Sequence, residues 1–169
     1  MSTERTSGRS QRKPSRRGTP PVFTHRNLPL LLLQAREGVF AHFRPILHAH
    51  GITEQQWRIV RALLEEGGPL EPRQIVQVCR ISSPSLAGIL ARMDELGLVA
   101  RERLPTDQRR VMVSLTARSR ALAETMAPQI EAVYAEIEAH IGSELMDRFY
   151  ATLDELIEVL GALPEPGGE

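Results

Sequence analysis

The sequence predicts a mainly helical α+β protein, with about six helices and one two-stranded β-hairpin. Apolar residues recur at helical spacing over most of the chain. Two short runs rich in β-branched residues, LVARERL at 98–104 and VMVSLT at 111–116, flank a polar break and predict the hairpin. Hydrophobic residues make up 41% of the 169 residues, which is enough for one compact core and leaves no room for a second independent enzyme domain.

Charge is segregated along the chain, although the formal net charge is zero. Six basic residues and one acidic residue lie in 1–21, and seven basic and four acidic residues lie in 73–110. Residues 121–169 hold one basic and eleven acidic residues. A polyanion would be attracted to the first two segments and repelled by the last, which points to nucleic acid.

Composition also predicts the domain boundaries. We expect a disordered basic arm over 1–25, because this stretch lacks the apolar periodicity needed to offset the entropy of ordering. One domain should follow over 26–163, with a disordered tail at 164–169. The chain has no uncharged apolar run of about 18 residues and no secretory signal, so we expect a cytoplasmic protein without membrane contact. The single Cys79 cannot form an internal disulfide, which fits a reducing compartment.

The first two helices are predicted from spacing and capping. Apolar residues recur at helical spacing over 27–50, and Pro45 should kink or interrupt that helix because it removes a backbone donor. Thr53 and Gln56 form a capping box, in which each side chain satisfies a backbone donor at the start of the second helix. This helix should end at the GGP of 67–69.

The next two helices predict a helix-turn-helix. A short helix over 71–79 precedes a longer one, which Ser83 can cap and in which Pro84 can occupy the first position. The residues of the longer helix that should face inward are Leu86, Ile89, Leu90, Met93 and Leu96. Its opposite stripe is polar or small and comprises Ser85, Gly88, Arg92 and Glu95. Two helices joined by a tight link, the second with such a face, are typical of a helix-turn-helix.

The hairpin that follows is interpreted as a wing with PTDQRR of 105–110 at its tip, which completes a winged helix-turn-helix. Helix resumes at Thr116 with a bend expected at Pro128, and Ser143 should cap a last helix. The apolar stripe of that last helix comprises Leu145, Phe149, Leu153, Leu156, Leu160 and Leu163. This stripe needs a partner surface, so we expect a homodimer, and packing within one chain is the alternative.

Three stretches of the chain form a combined pattern: GITEQQWRIVRAL at 51–63, SPSLAGILARMDELGLVAR at 83–101 and PTDQRRVMVSLT at 105–116. In this order they resemble the MarR family of winged helix-turn-helix transcription factors, and the likeness spans about residues 27–163. Within the family, residues 27–47 are most similar to regulators of homoprotocatechuate degradation. Repressors of nicotinate breakdown and of biofilm polysaccharide synthesis are similar too.

The resemblance implies a dimeric, sequence-specific repressor of a pseudo-palindromic operator in double-stranded DNA. Family members interlock their terminal helices, which implies dimerisation helices at 26–50 and 117–163 around a winged helix-turn-helix at 53–116. Many members release DNA when a phenolic or aromatic acid binds between the dimer region and the DNA-binding lobes. The resemblance therefore implies a small aromatic carboxylate effector, of hydroxyphenylacetate or hydroxynicotinate type, in control of aromatic catabolism.

The wing carries three candidate DNA-binding residues, Asp107, Arg109 and Arg110. We expect Arg109 to enter the minor groove, where narrow A/T-rich stretches concentrate negative potential. Asp107 would position it or brace the hairpin, and Arg110 would lie nearer the phosphates. The alternative is that all three are solvated turn residues.

The helix-turn-helix adds Arg73, Ser83, Ser85, Gly88 and Arg92 to the candidate DNA-binding residues. The two serines would meet the DNA backbone or base edges at the positive end of the helix, and Arg92 would reach a phosphate or a guanine. Ala87 and Gly88 stand where the best-known family member has longer polar residues, so base contacts should be few and shape readout should weigh more. A simple cap for Ser83 and a solvated arginine for Arg73 are the alternatives.

The candidate effector site comprises Arg36, Phe40, His50, Trp57 and Arg61. Arg36 and Phe40 are one turn apart on the first helix, as are Trp57 and Arg61 on the second. An aromatic face beside a guanidinium suits a flat carboxylate, because the ring stacks and the fork binds two oxygens. Core or ordinary surface roles are the alternative for each residue.

Other classes of function have less support. The histidines at 42, 48 and 50 lack zinc-like spacing, and we expect neither a metal nor a cofactor. No nucleophile, base and orienter stand at interpretable spacing, so we expect no enzyme. The alternative to effector control is a regulator of the same family that responds to oxidation of Cys79, or is controlled by its abundance alone.

Overall fold

The structure, a computed structural model, describes residues 23–104 and 107–164. The elements within them are α1 (Leu28–Ala49), α2 (Glu54–Glu65), α3 (Pro72–Cys79), α4 (Ser83–Glu95), β1 (Val99–Leu104), β2 (Asp107–Leu115), α5 (Ala117–Ile141) and α6 (Ser143–Ala162). This order confirms the predicted mainly helical class with a two-stranded wing. Residues 1–22 of the predicted arm and 165–169 of the predicted tail lie outside the described residues.

Both internal prolines lie inside continuous helices. α1 runs through Pro45 to Ala49, so the interruption that the sequence allowed there does not occur. Phe43 and Leu47, on either side of Pro45, are buried in the core, and this packing holds the helix together across the missing backbone hydrogen bond. α5 likewise continues through Pro128.

The start of α2 follows from local chemistry. The Thr53 backbone N–H donates to Oε1 of Gln56 over 2.9 Å, and the Gln56 N–H donates to Oγ1 of Thr53 over 3.2 Å. These two bonds confirm the predicted capping box. Beyond them Ile59 and Val60 are fully buried, in a single apolar cluster that also takes side chains from α1, α3, α4, the wing and α5.

Two helix caps lie one residue before the predicted ones. Ser82, not Ser83, caps α4: its backbone is extended with φ −65° and ψ 145°, and Ser83 is already helical. Gly142, not Ser143, caps α6, with a φ of 85° that favours glycine. In each case the cap is the last residue that keeps non-helical dihedral angles, and the serine after it begins the helix.

The wing is anchored at its base. β1 and β2 pair antiparallel from Val99 opposite Leu115 to Arg103 opposite Val111, with an irregularity after Arg103. Outside the hairpin, the Leu70 N–H donates to the Val113 carbonyl over 3.0 Å, and the Val113 N–H donates to the Leu70 carbonyl over 2.8 Å. The segment just before α3 therefore pairs with the middle of β2 and ties the wing to the helix-turn-helix.

The last helix buries none of its residues within the described chain. The predicted apolar stripe is present, and its exposed members include Leu145, Phe149, Leu160 and Leu163. α1 also exposes Leu28, Leu30, Leu32 and Leu33 near its start. Packing of the α6 stripe within one chain, the alternative raised by the sequence, therefore leaves most of it in contact with solvent.

Candidate nucleic-acid interface and effector cavity

The outer face of α4 is polar, small and exposed. Leu86, Leu90 and Met93 are buried against the core, which turns the opposite side of the helix outward. That side presents the exposed residues Ser85, Gly88, Arg92 and Glu95. A Cβ added at Gly88 would meet no protein atom within 4 Å, so the backbone is open to close approach there.

The first turn of α4 is also exposed. The Ser82 hydroxyl donates to the Ser85 hydroxyl over 2.8 Å, and Ser83 between them is exposed. The unpaired N–H groups of a helix start favour an anion such as a phosphate. Arg92, two turns later, pairs with Glu95 over 2.9 Å in an exposed contact of the kind that contributes little to stability.

The wing is braced internally by its own aspartate. Oδ1 of Asp107 accepts the backbone N–H of Arg109 over 3.0 Å, which is the turn-like bond that aspartate favours. Arg109 is exposed, and the structure records no partner for its guanidinium among the described residues. Pro105 and Thr106, which complete the predicted tip, lie outside the described residues.

Arg110 points to α3 and not outward with Arg109. Its Nε donates to Oε1 of Glu71 over 2.6 Å, and its Nη2 contacts the same oxygen. Arg73 donates from Nε to the other oxygen, Oε2, over 2.8 Å. The hydrogen bonds from Arg110 hold the pKa of the Glu71 carboxyl below its ordinary value, against the opposing effect of desolvation. Sequence reasoning missed Glu71, because 39 residues separate it from Arg110.

A second ion pair joins the wing to α4. Arg101 of β1 donates from Nη2 to Oδ2 of Asp94 over 2.7 Å and from Nε over 3.1 Å. Both side chains are partly exposed, so the pair fixes orientation more than it adds stability. Sequence reasoning missed this contact too, although both residues lie in the basic segment that it identified.

Trp57 and Arg61 lie together on α2 and face α5. They line a cavity of about 270 Å³ whose other walls are Leu64, Arg120, Ala123, Glu124, Ala127 and Ile130. Arg61 also pairs with Glu65 over 2.6 Å, one turn further along α2. The cavity thus combines the Trp57 indole and two guanidiniums with the Glu124 carboxylate and apolar side chains. Arg120 was not among the predicted residues.

Arg36 and Phe40 lie beside the start of α2. The Arg36 guanidinium carbon sits 4.7 Å from the centroid of the Phe40 ring. Its Nη2 donates to Oε2 of Glu54 over 2.7 Å, one turn before Trp57. Arg44 holds the other oxygen of Glu54 over 2.7 Å, and both arginines also contact Glu37.

The structure therefore leaves the predicted effector residues in separate groups: Trp57 and Arg61 line the cavity against α5, whereas Arg36 and Phe40 lie beside Glu54 and do not line it. Glu54, Trp57 and Arg61 follow one another along one side of α2, and Arg36 reaches the first of them from α1. His50 lies elsewhere: its Nε2 is 3.2 Å from Nε2 of Gln129, and it lines a separate cavity of about 180 Å³ with Arg118 and Leu122.

Cys79 is a buried thiol. Its residue is 1% exposed, and Sγ donates to the Arg58 carbonyl at 3.7 Å. Burial raises the pKa of this thiol, which keeps it protonated. Among residues 23–104 and 107–164, no group of three or more His, Cys, Asp and Glu side chains converges as a metal site. Over the same residues, no helix combines the length and the apolar character needed to cross a bilayer.

Comparison with known proteins places these features in a family. Residues 50–110 match the model of the MarR family. The homoprotocatechuate degradative operon repressor of Escherichia coli is 43% identical over 133 residues, covering 79% of this chain and 89% of that protein. The transcriptional regulator FarR of Neisseria gonorrhoeae is 40% identical over 144 residues, covering 85% and 98%.

A solved structure of NadR in complex with 4-hydroxyphenylacetate is similar with a TM-score of 0.71 and 40% identity, covering 82% of this chain and 97% of that one. The identities extend over most of both chains, beyond the helix-turn-helix itself. The fold shows the same winged helix-turn-helix that the sequence motifs predicted. This chain is a member of the MarR family of transcriptional regulators.

Proposed function

We propose that this protein is a dimeric repressor that a small aromatic carboxylate releases from its operator. The observation that carries the proposal is the exposed surface made of the polar stripe of α4 and the wing with Arg109. A narrow polar helix face suits the major groove, and a guanidinium on a hairpin suits the minor groove. The similar protein of Escherichia coli is named as an operon repressor, which supports the direction of regulation.

The proposed DNA contacts use the exposed surface as follows. Ser83 and Ser85 bind the backbone or base edges at the start of α4, Gly88 lets the helix approach closely, and Arg92 reaches a phosphate or guanine. Asp107 holds the hairpin while Arg109 enters the minor groove. Arg73 binds a phosphate beside α3.

The dimer is supported by the apolar surface that one chain leaves exposed. Four large apolar side chains of the α6 stripe and four at the start of α1 are exposed in one chain, and exposed apolar surface of this kind marks interaction sites. A second copy related by a two-fold axis would cover it and set the two α4 helices about 34–36 Å apart, on half-sites one helical turn apart.

The effector is proposed to bind along the row of Glu54, Trp57 and Arg61 on α2, with Arg120 opposite and with Arg36 of α1 at the Glu54 end. Stacking on the indole and a forked bond from a guanidinium to two carboxylate oxygens suit a flat aromatic acid. Phe40 supplies a second ring beside Arg36. The similar NadR was solved with 4-hydroxyphenylacetate, which makes that acid the first compound to test. His50 contributes only if the assembled dimer brings it to this row.

Operator binding is tested by gel shift with fragments that include the protein's own promoter, at two salt concentrations. Specific binding should weaken by about 0.9 log units per log of salt for each phosphate neutralised. Arg109→Ala should lower operator affinity by about tenfold or more, since a groove-inserted arginine is lost. Unchanged operator occupancy in Arg109→Ala would contradict the proposed role of the wing.

Effector binding is tested by isothermal titration with 4-hydroxyphenylacetate. Binding should weaken in Arg36→Ala and Arg61→Ala and persist in Arg148→Ala, an exposed arginine of α6 that serves as the matched control. Unchanged binding in Arg36→Ala removes that arginine from the site. Peroxide serves as a second arm: the burial of Cys79 opposes control by oxidation, so operator binding should survive peroxide and respond to the acid.

A further inference from the structure

Glu71 occupies an unusual place between the two DNA-contacting parts of the fold. It lies immediately before α3, and its side chain is only 10% exposed although both of its oxygens bind arginines. Arg110 of the wing holds Oε1, and Arg73 of α3 holds Oε2. Leu70, the preceding residue, exchanges two backbone hydrogen bonds with Val113 of β2. Side chain and backbone therefore tie the same point of the helix-turn-helix to the wing.

The charges of this cluster are unequal in exposure. The Glu71 side chain is 10% exposed, whereas the Arg110 side chain that binds it is 49% exposed. The cluster therefore lies at the surface, where such ion pairs fix orientation more than they add stability. Arg110 donates hydrogen bonds from Nε and Nη2 to one oxygen of Glu71, which fixes the direction of its guanidinium. The Arg73 side chain is 78% exposed and keeps most of its donors toward solvent. The Arg110 guanidinium is therefore directed to Glu71, whereas Arg73 remains available to bind DNA.

We propose that Glu71 is a positioning residue for operator recognition, which fixes the angle of the wing against α3 through Arg110. This inference rests on the proposed function. Arg109 is the neighbour of Arg110 on β2. Because Glu71 holds Arg110, it also fixes the position of Arg109, the side chain proposed to enter the minor groove. The distance between Arg109 and the α4 stripe is then constant, and only a duplex with matching groove geometry engages both.

The proposal predicts different effects on the preference for the operator and on the electrostatic affinity for DNA of any sequence. Removing the Glu71 charge makes the DNA-facing side more positive, which alone would strengthen binding to every sequence. Releasing the wing lowers affinity for the operator alone, because a hairpin that is no longer held must lose its freedom of movement when it binds the operator. The ratio of operator affinity to non-operator affinity is therefore the quantity that distinguishes the two effects.

The main test measures the affinity of full-length Glu71→Gln for an operator duplex and for a scrambled duplex of equal length. Glutamine keeps the shape of the side chain and removes its charge. Operator affinity should fall by about tenfold while affinity for the scrambled duplex stays equal or rises. Glu102→Gln is the matched control, because it removes one exposed carboxylate from β1 of the wing. Its two affinities should rise together and leave the ratio unchanged.

Arg110→Lys provides a second route that keeps the net charge. Lysine retains the positive charge and loses the fork, so operator affinity should fall while scrambled-duplex affinity does not change. The salt dependence gives a further readout. If Arg110 bound a phosphate, Arg110→Gln would reduce the slope of log affinity against log salt by about 0.9. If Arg110 only positions the wing, Arg110→Gln leaves that slope unchanged.

The outcomes separate the inference from the function on which it rests. Equal changes in both affinities for Glu71→Gln, as for Glu102→Gln, would overturn the positioning role, and so would a reduced salt slope for Arg110→Gln. Absence of operator preference in the wild type would instead overturn the proposed function. If Glu71→Gln fails to fold by circular dichroism, Arg110→Lys carries the decision, because it leaves the carboxylate paired with Arg73.

Discussion

At the scale of single residues, the most unusual backbone in the described chain belongs to Arg80. It ends α3 with φ 50° and ψ 46°, the left-handed region that ordinarily favours glycine or asparagine. Its neighbours Cys79 and Ile81 are both buried, so the tight link between α3 and α4 must turn within one residue. Packing on either side imposes this conformation on an arginine, and the sequence at that position does not predict a left-handed residue.

Arg80→Gly should therefore raise the free energy of unfolding by about 0.5–1 kcal/mol, because glycine adopts the left-handed region without crowding a Cβ. Urea denaturation followed by circular dichroism measures the change. Gly97→Ala is the converse: Gly97 has a φ of 65°, so alanine there should lower stability by about 1 kcal/mol. A loss of stability in Arg80→Gly would show that the side chain contributes more than the backbone costs.

Several contacts between residues close in the sequence were predictable, although the caps of α4 and α6 were each misplaced by one residue, and contacts across the chain were not predictable. The capping box of Thr53 and Gln56 and the bond from the Arg109 backbone N–H to Asp107 each span three residues or fewer, so both partners lie close together in the sequence. The contact of Glu71 with Arg110 spans 39 residues and exists only because Leu70 pairs with β2. No spacing rule connects such a pair before the topology is known.

At the scale of elements, α4 combines a buried apolar side with an outer side that carries a glycine in mid-helix. Glycine is unfavourable there, and no protein atom lies within 4 Å of the position that a Cβ would take. Stability alone does not explain Gly88, whereas the proposed close approach of DNA to the helix backbone would explain it. The sequence predicted this face from the spacing of Leu86, Leu90 and Met93, which the structure confirms as buried.

Gly88→Ala should raise the free energy of unfolding by about 0.8–1 kcal/mol and lower operator affinity by about tenfold. Thermal unfolding and fluorescence anisotropy with an operator duplex measure the two effects. Gly38→Ala in α1 is the matched control, because its added Cβ also meets no atom and the residue lies outside the helix-turn-helix. If Gly88→Ala raised both stability and operator affinity, α4 would not approach the bases closely at this position.

The junction of α1 and α2 depends on the carboxylate of Glu54. Burial raises the pKa of this carboxyl, but the hydrogen bonds from Arg44 and Arg36 outweigh burial, so its pKa lies below the ordinary value. A carboxyl whose pKa is lower in the folded state stabilises the fold above its unfolded pKa. That stabilisation disappears as the pH falls through the folded value.

Glu54→Gln should lower the free energy of unfolding by about 0.5–1 kcal/mol at neutral pH, as expected for a partly exposed charge network. The difference from the wild type should shrink as the pH is lowered and vanish once the carboxyl is protonated in both states. Urea denaturation at a series of pH values measures it. Glu66→Gln at the other end of α2 should show no such loss, and a pH-independent difference for Glu54→Gln would mean that shape, not charge, stabilises the junction.

At the scale of the whole molecule, one apolar cluster organises the winged helix-turn-helix, while the terminal helices remain poorly covered. The sequence predicted both parts, because the core face of α2 and α4 and the stripe of α6 follow helical periodicity. It left open whether the stripe packs within one chain, since periodicity identifies an apolar face but not what covers it. The exposure of that stripe makes assembly the natural explanation, and assembly has a consequence for DNA.

Leu160→Glu should convert the protein to monomers and lower operator affinity by about a hundredfold. In a dimer, binding of one protomer to its half-site gives the other protomer a high effective concentration at the second half-site, and a monomer lacks this advantage. Leu160 is exposed on α6, so the change leaves the described core of the chain intact. Leu160→Met keeps the stripe apolar and should remain dimeric with full affinity. Sedimentation equilibrium at micromolar concentration and anisotropy on duplexes with one or two half-sites measure both quantities. The monomer should bind both duplexes with the same weak affinity, whereas a wild type that sediments as a monomer would remove the dimer from the mechanism.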